Sequence, residues 1–206
     1  MGPDGLIYVG DRASASVLVF DAQGTLVRRL GSPLADGWLP LGLAFDSAGN
    51  LYVTDVTPGR HRVLKLGGDG GLVWAVGSEG SGPAQFAFPV DVAVDGRGRV
   101  YVSDSNNGRV QVLDGSGSFL QMLPDDGRAL GPRGLAMDGS RLYVVSTSRN
   151  QVLVYDVSGT PRLVSSLPGG GGPALGLSYP NGVAVAPGGR LYVADRGGNR
   201  VAIWQP

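Results

Sequence analysis

Aspartate and arginine recur together along the chain at a spacing that could support ionic chemistry. In three places an aspartate precedes an arginine by five to seven residues: Asp55 with Arg62, Asp104 with Arg109, and Asp195 with Arg200. The fourth repeat of this sequence pattern has Ser146 and Gln151 at the two positions. The first repeat keeps the aspartate as Asp11 but has Ser16 in place of the arginine. The joint loss predicts that the two side chains pair across a loop and hold it in place. We therefore interpret them as structural pairs and not as catalytic carboxylates.

Other residues that could act in catalysis or bind metal are few. The chain has one histidine, His61, and no cysteine, which excludes a disulfide framework and a thiolate metal site. A lone loop histidine is more often solvated than a ligand, and no nucleophile–base motif accompanies it. Asp91 stands where the other repeats have a glycine. Arg133 and Asn181 directly precede that glycine in their own repeats. One carboxylate with one arginine makes Asp91 a weak metal candidate, and we expect no cofactor.

The elements that position these residues repeat five times. An aliphatic residue followed by Tyr-Val recurs every 42 to 49 residues, with the tyrosines at Tyr8, Tyr52, Tyr101, Tyr143 and Tyr192. A period in this range is typical of architectures in which each repeat stacks on its neighbours. A proline and a short apolar segment precede most copies, and Gly- and Asp-rich turns separate the segments.

Each repeat predicts four short antiparallel strands, which is one blade of a β-propeller. The chain is therefore expected to be all-β. The first repeat begins after its innermost strand and the last stops after its third, so about eighteen strands are expected in three complete blades and two partial ones. The near-continuous apolar runs fit sheets that are covered on both sides.

Composition and charge narrow the function classes. Glycine accounts for 36 of 206 residues but lies at the expected turns, and hydrophobic residues make up 42% of the chain. Seventeen basic and seventeen acidic residues cancel, so the chain has no general attraction for nucleic acid or anionic lipid. No apolar run approaches the roughly 20 residues that span a bilayer. We expect a soluble chain without membrane insertion. The sequence does not indicate the cellular compartment.

The repeats resemble those of the NHL family. The resemblance rests on Pro-x-Gly-hydrophobic-Ala, hydrophobic-Tyr-Val-x-Asp and Asn/Gly-Arg-Val, and residues 89–113 and 180–204 are the best copies. It implies one NHL-type propeller domain over residues 1–206. Because propellers of this type usually have about six blades, it also fits a fragment of a larger propeller. Blade number, ring closure and oligomeric state are left open, and an incomplete ring is expected to favour oligomers.

The least repetitive loops are expected to share one face, because connections between second and third strands emerge beside those between blades. The within-blade loops contribute Arg12, Arg60, His61, Asn106, Asn107, Arg149, Asn150 and Arg196. The between-blade loops contribute Trp38, Phe86, Phe88, Arg133, Tyr179 and Asn181. Aromatic residues with arginine are typical anchors of protein interfaces. An alternative interpretation is that the aromatic residues seal the packing between blades.

The residues favour a non-catalytic scaffold that recognises a protein or peptide on this face. Relatives implied by the resemblance include a peptide-amidating lyase, and similar propellers include metal-dependent hydrolases, so a metal-dependent enzyme is the first alternative. Single-stranded RNA binding is the second, because some NHL domains bind RNA on a basic face. A neutral chain with one lysine favours nucleic acid less than a protein partner.

Overall fold

The computed structural model describes residues 1–125, 130–167 and 176–205. Within these residues the chain forms eighteen β-strands and one 3-10 turn at Ser105–Asn107. The same residues include no helix that is long and apolar enough to cross a membrane. The all-β prediction and the expected strand number are confirmed.

The strands form five antiparallel sheets, which are the blades of the propeller. The first blade contains β1 (Ile7–Asp11), β2 (Ser16–Phe20) and β3 (Leu26–Leu30). The second contains β4 (Pro40–Phe45), β5 (Leu51–Asp55), β6 (Arg62–Leu66) and β7 (Leu72–Val76). The third contains β8 (Pro89–Val94), β9 (Val100–Asp104), β10 (Arg109–Leu113) and β11 (Phe119–Met122). The fourth contains β12 (Pro132–Asp138), β13 (Arg141–Ser146), β14 (Gln151–Asp156) and β15 (Arg162–Leu167), and the fifth β16 (Pro180–Val185), β17 (Leu191–Asp195) and β18 (Arg200–Trp204).

Sequence order equals spatial order in every blade, as the hairpin turns predict. In the three complete blades the Tyr-Val strand is the second strand, for example β5 between β4 and β6. Every residue of β5 and of β9 is buried. Because both faces of these central strands are covered, their sequences are apolar without the alternation of a half-exposed strand.

The core consists of four clusters, one for each junction between consecutive blades. At the junction of the second and third blades, Tyr52 and Val63 pack with Val100, Val102 and Leu113. The other three junctions are built in the same way from the tyrosine-bearing face of one blade and the opposite face of the next. Each junction therefore buries aliphatic residues from both blades, which is the main stabilising contribution.

The outer faces of the first and fifth blades are exposed. On the first blade, Ile7 and Val9 are 38% and 42% exposed, and on the fifth, Val201 and Ile203 are 61% and 59% exposed. At matching positions in the inner blades, Leu142, Val144 and Val110 are buried. The first and fifth blades thus do not cover each other.

Candidate functional site

The antiparallel order of the strands divides the connections between two ends of the blades. We call the end that carries the second-to-third strand loops and the connections between blades the loop face. We call the end that carries the tight hairpin turns, such as residues 46–50 and 67–71, the turn face. The candidate residues from the sequence belong mainly to the loop face.

The three aspartate–arginine pairs are present as ion pairs at the loop face. In the third blade, Arg109 Nε donates to Asp104 Oδ2 at 2.7 Å, and the carboxylate is fully buried. The Asp55–Arg62 and Asp195–Arg200 pairs repeat the contact at 2.8 Å each. Burial makes such a pair costly to break, because removing one partner leaves an uncompensated charge.

The second carboxylate oxygen of each pair holds the connection that enters the blade. Asp104 Oδ1 accepts the backbone N–H of Ala87 at 2.7 Å. Asp55 Oδ1 accepts from Leu39 at 2.8 Å, and Asp195 Oδ1 accepts from Ser178 at 2.7 Å. The arginines reach the same connections, since Arg62 Nη2 donates to Gly37 O, Arg109 Nη2 to Gly82 O, and Arg200 Nη2 to Gly176 O. Each pair therefore joins the incoming connection to its own blade.

The two repeats without a complete pair use other contacts. In the fourth blade the Ser146 hydroxyl donates to the backbone carbonyl of Leu130, which precedes β12. In the first blade Asp11 accepts hydrogen bonds from Ala13 N–H and the Ser14 hydroxyl within its own loop. Where the aspartate–arginine pair is incomplete, other hydrogen bonds therefore hold the loop.

Two aromatic candidates for an exposed face are buried, which corrects the expectation that they are surface anchors. Trp38 is 2% exposed, and its indole N–H donates to Ala15 O at 2.8 Å. Phe86 is fully buried and packs with the junction between the second and third blades. The alternative interpretation is correct for these two residues: they close the packing where one blade follows another.

Two other aromatic residues reach the loop face with unusual backbone conformations. Phe88 has a φ of 58° and Tyr179 a φ of 47°, and each directly precedes a proline. The left-handed region is costly for a residue with a side chain, and a following proline disfavours helical conformations further. Tyr179 is 65% exposed. The fold therefore holds two aromatic rings in strained positions at this face.

Neighbouring blades supply the contacts that hold these rings. The Phe88 N–H donates to His61 Nδ1 at 3.1 Å, and the Tyr179 N–H donates to Asn150 Oδ1 at 2.8 Å. The Arg12 guanidinium lies over the Phe88 ring, 5.7 Å from its centroid. The Phe88 cluster is therefore built from the first three blades.

His61 is a buried acceptor in this cluster and not a solvated loop residue. Its side chain meets the Phe88 ring edge-on, with the ring centroids 6.1 Å apart. Its Nδ1 atom lies 3.9 Å from Glu79 Oε2, which accepts the Gly59 N–H at 2.6 Å. The Nδ1 atom of His61 therefore serves as the acceptor that joins the second blade to the connection entering the third.

The remaining candidates divide between structural and exposed positions. Asn107 donates to Asp104 and to Gly80 O, so it reinforces a structural pair. Asn106 donates its backbone N–H to Ala87 O, and Arg60 pairs with Asp36 at 2.8 Å. The exposed or half-exposed residues are Arg12, Arg133, Arg149, Asn181 and Arg196.

Asp91 lies in the central channel that the innermost strands surround. The cavity measures about 400 Å³ and is lined in part by Gly10, Gly42, Asp91, Gly134 and Gly182. The two carboxylate oxygens accept the backbone N–H of Val92 at 2.9 Å and of Leu135 at 2.8 Å. Burial raises the pKa of the Asp91 carboxyl to about 7, although both hydrogen bonds act to lower it.

The geometry around Asp91 is that of a contact between the third and fourth blades. Among the residues that the structure describes, no three histidine or carboxylate side chains are placed to hold a metal together. Within the described ranges, Asp91 is therefore not part of a group of three such side chains.

Sequence reasoning missed Gln111, which is fully buried beside the third-blade pair. Its amide donates to Asp104 Oδ2 at 3.0 Å and to Gln85 O at 2.5 Å, while its oxygen accepts the Ala84 N–H at 3.0 Å. The only signal available was a polar residue in the middle of an apolar strand.

Comparison with known proteins agrees with this architecture. The sequence pattern of the NHL repeat matches residues 86–113 and 177–204. These two segments are similar to NHL repeats. NHL repeat-containing protein 3 from Homo sapiens is 34% identical over 41% of this chain, and the Mus musculus protein is 33% identical over the same share. The chain spans 27% of the length of these two curated relatives.

Solved structures that resemble this chain include enzymes. A virginiamycin B lyase from Staphylococcus aureus with quinupristin superposes with a TM-score of 0.70 at 17% identity, over 98% of this chain and 64% of that one. A gluconolactonase from Xanthomonas campestris gives 0.71 at 22% identity, over 97% and 68%. At these identities the likeness concerns the fold alone.

Proposed function

We propose that the loop face of this NHL propeller is a rigid, non-catalytic surface for recognition of a protein or peptide. The observation that carries the proposal is the pair of strained aromatic residues, Phe88 and Tyr179. A non-glycine residue in the left-handed region costs about 1–3 kcal/mol. Such strain, kept at an accessible surface, is typical of residues that are positioned for a ligand.

The rigidity of the surface follows from the buried ion pairs beneath it. Each pair ties an incoming connection to its own blade, so the loops are held before a partner arrives. A preorganised surface loses less conformational entropy on binding than a mobile one. Aromatic side chains then contribute contact area at a low entropic cost.

The side chains around the rings fit a peptide with both apolar and polar groups. Arg12 lies over the Phe88 ring, and Tyr179 presents an exposed phenol while its backbone N–H donates to Asn150. Tyrosine and arginine are the residue types enriched among strong contributors to protein interfaces. The enzyme alternative has support from the fold of its neighbours, but no group of residues in the described ranges favours a particular reaction.

The test is selection of binders from a displayed peptide library, followed by affinity measurements on variants. We expect Tyr179→Ala and Arg12→Ala to weaken selected peptides about tenfold or more each. The matched control is Leu120→Ala, because Leu120 is exposed on the outer strand β11, away from the loop face. Its expected effect is less than threefold.

Three results would contradict the proposal. One is a library that yields no binder, and another is a set of binders whose affinity depends on Leu120 but not on Tyr179. The third is binding of single-stranded oligonucleotides that weakens steeply with salt, which would support the RNA alternative instead.

A further inference from the structure

The groove between the second and third blades is filled at the turn face by one side chain, Trp74 of β7. The indole N–H donates to Gly115 O at 3.1 Å, and the ring meets Tyr52 edge-on with centroids 5.8 Å apart. The ring also lies against Gly117, where an added Cβ would approach it to 3.4 Å. The turn at residues 114–118 and the indole ring therefore form one packed unit.

The first blade carries arginine at the matching position. Trp74 pairs with Lys65 of β6, and Arg28 pairs with Val19 of β2. In both sheets this is the last residue pair before the register shifts at a β-bulge. The surroundings match as well: Tyr8 corresponds to Tyr52, and Gly68 corresponds to Gly115. One wall differs, because Phe45 ends β4 where Val94 ends β8, and the Phe45 ring meets Tyr8 edge-on with the centroids 4.8 Å apart. The groove between the first and second blades thus has a similar construction with Phe45 on one wall and without the indole ring.

Arg28 does not fill the space that a tryptophan would occupy. Its guanidinium donates to the Tyr8 hydroxyl at 2.5 Å and lies 3.7 Å from Asp4 Oδ2. With 44% of its side chain exposed, it lies at the rim of the groove. Behind it remains a cavity of about 190 Å³.

The walls of this cavity suit a flat aromatic ring. They include the apolar residues Leu30, Phe45, Leu51 and Leu66, with glycines 67, 68 and 70 at the open end. A buried apolar cavity of about 150 Å³ is large enough to bind benzene. The rim adds a phenol, a carboxylate and a guanidinium from Tyr8, Asp4 and Arg28.

We propose that this cavity is a binding site for an indole-type ring, seated as Trp74 is seated in the neighbouring groove. The ring would lie on the leucine and phenylalanine side chains, and its N–H would donate to the Gly68 carbonyl as Trp74 donates to Gly115. The ring belongs either to a free small molecule or to a tryptophan side chain of a partner. The site lies on the turn face and is independent of recognition at the loop face.

The test measures binding of indole and of N-acetyl-tryptophanamide to the intact chain by calorimetry and ligand-observed NMR. We expect one site for indole, with Arg28→Trp and the smaller Arg28→Phe each weakening binding at least tenfold by filling the cavity. Benzofuran, which has the same shape without the N–H donor, is expected to bind roughly fivefold more weakly. Comparable binding of N-acetyl-tryptophanamide indicates a partner's side chain, and binding of indole alone indicates a free molecule.

Trp74→Ala provides the matched control, because it empties the groove that the chain normally fills. Indole should bind this variant at a second site and raise its melting temperature more than that of the unaltered chain. The proposal is overturned if indole binds to Trp74→Ala and raises its melting temperature while the unaltered chain binds no indole. It is also overturned if indole binds equally well to both Arg28 variants.

Discussion

The inner blades bury residues that the first and fifth blades expose at matching positions. Leu142 in the fourth blade is buried, whereas Ile7 in the first is not, although both directly precede the tyrosine of their repeat. Val110 and Val201 differ in the same way between the third and fifth blades. Since the residue types are alike, burial depends on whether another sheet packs against that face.

The polar contacts of the loop face show the same contrast. Asp104 of the third blade joins an arginine, an incoming connection, Asn107 and Gln111. The hydrogen bonds that Asp11 of the first blade accepts come from its own loop. The aspartate therefore joins an incoming connection in the third blade and acts locally in the first, whereas Asp195 of the fifth blade keeps the tertiary contacts.

The largest difference between the two regions is expected for these aspartates. Asp104→Ala should lower the free energy of unfolding by about 3–5 kcal/mol, because it leaves the Arg109 guanidinium without its carboxylate partner and the Ala87 N–H without its acceptor. Asp11→Ala should cost about 0.5–1 kcal/mol, since only local hydrogen bonds are lost. Urea unfolding followed by circular dichroism measures both. Equal losses would show that the two loops are held in the same way.

A smaller contrast is expected for the apolar faces. Leu142→Ala should cost about 2–5 kcal/mol, because it leaves a cavity in the junction of the third and fourth blades. Ile7→Ala, at the matching exposed position, should change stability by less than about 1 kcal/mol. Thermal melts of both variants with the unaltered chain test this pair. A large loss for Ile7→Ala would indicate that the outer face is covered in solution.

The innermost strands allow a third comparison. An added Cβ at Gly134 would lie 2.8 Å from Gly182 Cα and 2.9 Å from Asn181 O, both backbone atoms of the next blade. At Gly182 the nearest atom is the Ala194 side chain of its own blade, at 3.7 Å. Gly134→Ala should therefore cost about 1–3 kcal/mol by overpacking. Gly182→Ala should stay within about 0.5 kcal/mol in the same melts. The reverse order would contradict the contact between blades.

A pH dependence is expected from Asp91. Its pKa is raised by burial to about 7, above the value near 4 of an unfolded chain. The contribution of Asp91 to stability is therefore fully present below pH 4 and is lost as the pH rises through 7. We expect the melting temperature to fall more between pH 5 and 8.5 in the unaltered chain than in Asp91→Gly, which restores the glycine of the other repeats. Parallel curves would show that Asp91 charges without cost.

Much of the fold could be predicted because it rests on local signals. The Gly- and Asp-rich turns and the Tyr-Val pattern predicted each hairpin. The loss of both the aspartate and the arginine in the fourth repeat, at Ser146 and Gln151, indicated that these side chains form ion pairs. These features depend on residues within one repeat, where strand pairing and turn conformation are decided by nearby sequence.

The candidate site was predicted less completely. Trp38 and Phe86 were expected at the surface because they lie in connections, but the connections fold them into the junctions. His61 was expected in solvent and instead accepts a hydrogen bond from Phe88, 27 residues away. No local pattern distinguishes an aromatic residue that seals a junction from one that faces outward.

The repeat, the four-stranded blade, the aspartate–arginine pairs and the positions of the loops can be read from residues close together in the chain, because strand and turn formation depend on such neighbours. Packing between repeats decides which apolar faces are buried and which aromatic rings reach the loop face. It also decides that Trp74 fills one groove whereas Arg28 leaves the matching groove open. Burial and cavities depend on the sheet that packs against each face, which belongs to another repeat.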